Sequence, residues 1–168
     1  IVSAHFRGHR VHIAHVGDSR AYCIRNGQII QLTQDHSLLN AFMQAGEMTA
    51  EDIERFPYKN VILRAVGQKE VVEVEVTSHH WAPGDVYLLC SDGLSGEMTD
   101  AEILATAMRF QGNPKGLTRA LIATANDSGG RDNITALVIE VPQDHLRPIM
   151  PGGRGFRVDP PTSDAYAV

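Results

Sequence analysis

Apolar and polar residues alternate at period two over residues 11–16, so Val11, Ile13 and His15 fall on one side of an extended chain and His12, Ala14 and Val16 on the other. Gly17-Asp18 breaks the run as a turn, and Ala21-Tyr22-Cys23-Ile24 resumes it. Both residues of Asn26-Gly27 tolerate positive φ, which predicts a hairpin returning residues 28–32 against residues 21–24. At Ser37 the period changes. Leu38, Leu39, Phe42 and Met43 share one face of a helix that Gly46 ends, and Thr49 caps a second helix over residues 50–55, stopped by Pro57. The apolar run 60–66 and the alternating run 71–77 return to extended chain, with Val72, Val74 and Val76 predicted inward and Glu73 and Glu75 outward. After the turn Ala82-Pro83-Gly84-Asp85, residues 86–90 are apolar throughout, as in a central strand. Thr99 and Glu102 make a capping box for a helix to about Arg109. Asn113-Pro114 opens another through Leu117, Leu121, Ile122 and Ala125, which Gly129-Gly130 ends. Residues 134–141 read as the last strand.

Strands, two small helices, strands, two helices and a strand predict an α+β layered domain on antiparallel sheets. A parallel sheet fits less well, because the early strands are joined by a tight hairpin. The pattern stops after residue 143: residues 144–168 carry Pro148, Pro151, Pro160, Pro161 and three glycines with few large apolar residues, the composition of a disordered tail or linker. No internal repeat is present.

The 168 residues suffice for one domain with a core, at 43% hydrophobic and 21% charged. A net charge of −5 and the lack of any Lys/Arg-rich run weigh against a nucleic-acid surface. No apolar stretch is long enough to span a membrane, and no signal-like segment opens the chain. Cys23 and Cys90 lie in apolar runs and read as reduced, buried thiols of a cytoplasmic protein. The chain opens at Ile1 in strand-like sequence, which suggests a piece of something longer.

Three aspartates end or begin apolar runs, each at a turn: Asp18 in His15-Val16-Gly17-Asp18-Ser19-Arg20, Asp92 in Cys90-Ser91-Asp92-Gly93, and Asp132 in Gly129-Gly130-Arg131-Asp132-Asn133-Ile134. Each has a local alternative as a turn aspartate that caps its own backbone. Taken as a set, carboxylates on rigid strand ends can converge, and oxygen-only ligands select Mg²⁺ or Mn²⁺ over zinc. The histidines compete weakly. His9, His12 and His15 do not share a strand face, and His79 and His80 point to opposite faces. His36 reads as an acid/base candidate or, better, as a cap for the helix that follows. There is no nucleophile elbow, P-loop or Cys/His catalytic signature, and an apolar run beside an aspartate raises the Cys90 thiol pKa.

At these residues the chain resembles the metal-dependent protein serine/threonine phosphatases of type 2C, in their bacterial branch. The segments are residues 15–22 (His15-Val16-Gly17-Asp18-Ser19-Arg20-Ala21-Tyr22), 32–37 (Leu32-Thr33-Gln34-Asp35-His36-Ser37), 60–67, 86–94 and 129–135, in the family's order and spacing. The resemblance implies a layered β-sandwich of two antiparallel sheets flanked by helices (α-β-β-α), over residues 1–143, with a flap subdomain at 38–59. It implies two core Mn²⁺ or Mg²⁺ ions held by Asp92 and Asp132, a further, weaker ion linked to Asp18, and Ser91, Gly93 and Asn133 as supports. It implies hydrolysis of phosphoserine and phosphothreonine in proteins by a metal-activated water, in signalling opposite a Ser/Thr kinase. The family's N-terminal portion, with an Asp-Gly-x-Gly-Gly-His run, has no match here: Asp92-Gly93 is the only Asp-Gly pair. The chain is therefore expected to be the C-terminal part of a catalytic domain, N-terminally incomplete and nearly inactive alone. The alternative is a phosphatase-like binding or regulatory module without chemistry.

Overall fold

The computed structural model describes residues 1–143 except Glu47, Lys59 and Asn60, and except the side chains of Ala50, Glu51 and Glu54. The expected tail at 144–168, and the first residue of the apolar run 60–66, lie outside the described residues. Strands β1 (Val2–Arg7), β2 (Arg10–His15), β3 (Arg20–Arg25) and β4 (Gln28–Gln31) come first, followed by helices α1 (Leu38–Ala45) and α2 (Ala50–Arg55). Then come β5 (Glu75–His80), β6 (Val86–Cys90), α3 (Asp92–Ser95), α4 (Asp100–Arg109), α5 (Pro114–Asp127) and β7 (Ala136–Glu140). They form two antiparallel sheets, one of order β1-β2-β5 and one of order β4-β3-β6-β7.

The alternation seen in the sequence sorts the core. Val11 and Ile13 of β2 meet Ala21, Cys23, Tyr87 and Leu89 of the other sheet, forming the inner layer of a sandwich. The intervening residues Tyr22, Ile24, Val86, Leu88 and Cys90 point the other way, onto Leu94, Ile103, Leu117 and Leu121 from the helices. The five residues of β6 are all buried, as a strand covered on both faces requires. The α+β sandwich of two antiparallel sheets is thus as expected. Among the described residues, α3, α4 and α5 cover the four-stranded sheet, while the far face of β1 and β2 exposes His5, Arg7 and Arg10.

Local signals set most helix ends. Gly46 ends α1 at φ 70 as expected, whereas its cap is Ser37 and not His36. Thr49 with Asp52 and Thr99 with Glu102 form capping boxes for α2 and α4, and Asn113-Pro114 opens α5. Asn26 (φ 52) and Gly27 (φ 73) make the hairpin turn between β3 and β4.

Gly17-Asp18 joins strands of different sheets, so β2 and β3 are not paired. Two expectations need correction. The described part of the run, residues 61–66, forms no strand: Ile62 makes one isolated bridge to Ser37, and Val61, Leu63 and Val66 are exposed. Within 71–77, Val72 is half-buried and Glu73 exposed as expected, but the face inverts at 74–76: Val74 is 50% and Val76 62% exposed, while Glu75 faces inward. The partner strand sets this register. Glu75 stands opposite buried His15, and Val76 opposite Ala14 on the outer side.

Candidate metal centre

Sheet pairing brings the three aspartates to one rim. Cys90, the last residue of β6, pairs with Arg20 at the start of β3 and with Ala136 at the start of β7. Asp18 therefore leads into β3, Asp92 follows β6, and Asp132 precedes β7, with the Asp92 strand between the other two. Neighbouring strands lie about 4.8 Å apart, so the rim is narrow. Asp92 and Asp132 are exposed and Asp18 is half-buried.

The loops carrying Asp92 and Asp132 are stapled together. The Ser91 hydroxyl donates to the Asn133 carbonyl (2.9 Å) and accepts the Thr135 amide (2.9 Å), and the Ser91 amide donates to the Thr135 carbonyl (3.1 Å). A Cβ on buried Gly93 would lie 2.5 Å from the Asn133 carbonyl oxygen, so only glycine permits this approach. Asp92 and Asp132 each turn one oxygen onto the next amide, from Gly93 (2.9 Å) and Asn133 (2.7 Å). The other oxygen of each makes no hydrogen bond among the described residues. The loop before Asp132 is tied down by Arg131, which donates to Glu97 (2.7 Å) and holds that carboxyl below its usual range.

Burial pushes the Asp18 carboxyl pKa up, and the negative charge of Asp92 pushes it further. A carboxyl whose charge is disfavoured in this way, beside further oxygen donors, fits a hard divalent cation. Beside them, Arg20 clamps Asp35 through Nε (3.0 and 3.1 Å) and a terminal nitrogen (2.7 Å), and donates to the Tyr22 hydroxyl (3.0 Å). This pair fixes the first residue of β3. Burial pushes the Cys90 thiol up to about 12, so no thiolate nucleophile is at hand.

The three aspartates do not form a group whose ligand atoms all lie within 4.8 Å of one another; among the described residues His15, His36 and Glu75 do. The sequence pattern missed this cluster, because Glu75 was assigned outward, and His36 is not the helix cap, which is Ser37. Its donors are already engaged. His36 Nδ1 accepts the Gly17 amide (3.1 Å), and Nε2 lies 3.3 Å from Glu75. His15 Nε2 lies 2.9 Å from the Gln34 carbonyl and so donates to it. The two imidazoles stack at 4.5 Å, and an Arg64 nitrogen lies 3.1 Å from His36 Nε2. A guanidinium there opposes a cation, and the cluster reads as a hydrogen-bond network. The signal available in sequence was His15 on the buried side of its alternating run.

A family model described as Protein phosphatase 2C matches residues 1–41. The chain is 39% identical over 140 residues to the serine/threonine phosphatase stp of Listeria innocua, covering 83% of this chain and 55% of that relative. It superposes on the crystal structure of the Mycobacterium tuberculosis serine/threonine phosphatase PstP/Ppp with a TM-score of 0.77 at 34% identity, covering 84% of this chain and 59% of that one. The catalytic domain of PstP in complex with 2 manganese ions gives a TM-score of 0.70 at 34% identity, covering 82% and 56%. The chain spans about half the length of the curated relatives it matches. With its two-sheet sandwich, its ordered motifs and these likenesses, the chain belongs to the protein phosphatase 2C family.

Proposed function

We propose that this chain carries the Asp92–Asp132 side of a divalent-metal centre in a protein serine/threonine phosphatase. The observation that supports the reading is the staple of Ser91 and Gly93 onto Asn133, which joins the loops carrying Asp92 and Asp132 and leaves one oxygen of each carboxylate free among the described residues. Asp92 and Asp132 would hold Mn²⁺ or Mg²⁺, and Asp18 a further ion beside Asp92. Manganese is favoured because a PstP catalytic domain is in complex with 2 of these ions. When bound, such ions acidify water and neutralise charge on a phosphoryl group. This chain's own residues would set the ligands: Ser91 and Gly93 hold the two loops together, and the Asn133 amide donates to Asp132. The substrates would be phosphoserine and phosphothreonine in proteins, opposite a Ser/Thr kinase. A cytoplasmic place is consistent with this, and among the described residues no helix is long and apolar enough to cross a membrane.

Two measurements test the reading. Calorimetric titration of the chain with Mn²⁺ should show binding that Asp92→Ala and Asp132→Ala each remove. Hydrolysis of a phosphothreonine peptide by the protein carrying this chain should fall by more than about 100-fold in either variant, since losing a ligand exceeds the loss of a supporting residue. Unchanged binding and unchanged rate in both variants would reject the assignment.

A further inference from the structure

Gly17, next to Asp18, is held at both of its peptide groups by one residue. Its carbonyl accepts the His36 amide (3.0 Å), and its amide donates to His36 Nδ1 (3.1 Å). Gly17 has φ +104, a conformation that other residues rarely adopt, so this peptide is set by its surroundings. His36 is itself anchored from three elements. Its ring stacks on His15 at the end of β2, its Nε2 faces Glu75 of β5, and Ser37 after it caps α1. Accepting at Nδ1 requires the lone pair there, which leaves the proton on Nε2, facing the Glu75 carboxylate. Arg64, which pairs with Glu73 (2.9 Å), lies 3.1 Å from the same nitrogen; with the proton on Nε2 the two groups are both donors, so Arg64 is no part of the anchor.

We propose that His36 is a positioning residue for the metal centre: as the Nε2–H tautomer it fixes the Gly17 peptide and thereby aims the Asp18 carboxylate toward Asp92. The buried His15 ring, the largely covered His36 ring and the absence of any described buried side-chain polar atom without a partner fit a rigid support. The inference rests on the reading of Asp18 as a metal ligand. It assigns His36 no contact with substrate and no proton transfer.

Two substitutions split the two ends of the ring. His36→Asn keeps an acceptor at the Nδ1 place and loses the Glu75 contact, whereas His36→Gln keeps a donor at the Nε2 place and loses the Gly17 contact. Calorimetric Mn²⁺ titration of the chain and these variants, with Asp18→Asn as reference, is the test. Asp18→Asn should remove one binding step; its persistence would sink the ligand reading of Asp18 and leave His36 without a role. If that step is lost, His36→Gln should weaken it by roughly tenfold or more, and His36→Asn should retain it within about twofold. Equal metal binding in His36→Gln and wild type, or equal losses in both His36 variants, overturns the proposal. Because a variant can fail to fold, a readout without substitution is paired with it. ¹⁵N-histidine spectra of the wild-type chain should show His36 protonated at Nε2 and bare at Nδ1. The opposite tautomer overturns the proposal as well.

Discussion

At the scale of single residues, the site depends on atoms that are absent as much as on those present. A methyl group at Gly93 would meet the Asn133 carbonyl oxygen at 2.5 Å and its carbon at 2.9 Å. Both are backbone atoms in a loop fastened by Ser91, so neither can swing away as a side-chain end would. Gly93→Ala should therefore cost about 1–3 kcal/mol, the range of overpacking. It should also separate Asp92 from Asp132 and weaken Mn²⁺ binding. Urea unfolding and calorimetric titration of the same variant check both halves; loss of stability with full metal affinity would show that the approach is structural only. Gly93 and Ser91 could be named in advance from resemblance, but their reason could not. It lies in a contact across 42 residues, and nothing near Gly93 in sequence announces Asn133. The place of Asp92 and Asp132 at strand ends was legible for the opposite cause, because a charge at the end of an apolar run is visible locally.

The same division between near and far governs whole elements. Helix ends were readable because caps bind their own first turn: Thr99 to Glu102, Thr49 to Asp52 and Asn113 to Gly116. The faces of β5 were not, since alternation gives two sides but not which is inner. Three valines argued for one side, and the partner strand chose the other by setting Glu75 against His15. That choice ties β2, β5 and α1 into one titrating network. His36 is held below its ordinary pKa, first by burial, then by the charges of Arg64 and His15, against the pull of Glu75. The sign follows from linkage. The folded chain resists a proton that the unfolded chain takes near pH 6.5, so stability is full above 6.5 and falls as the pH drops below it. Urea unfolding measured from neutral to acidic pH should show this decline, and His36→Asn should flatten part of it. An identical profile in the variant would place the acid sensitivity elsewhere.

For the molecule as a whole, the sandwich and the carboxylate rim pull against each other. Sheet pairing brings three carboxylates to one edge, and there burial, then the negative charge of Asp92, raises the pKa of Asp18. The unfolded chain does not hold these groups together, so a cation that bridges them favours folding by mass action. At a hundredfold excess over its dissociation constant the gain is about 2.7 kcal/mol. For a chain of this size that corresponds to a rise in Tm of roughly 5–10 °C. Acid should erode the effect, because Asp18 must give up its proton to accept a cation, and its raised pKa brings that competition closer to neutrality. Thermal unfolding with and without Mn²⁺, repeated as the pH is lowered, reads both. The rise should shrink with pH and vanish in Asp92→Ala. A Tm indifferent to Mn²⁺ at neutral pH would mean that the rim does not gather a cation in this chain, however closely its loops are stapled.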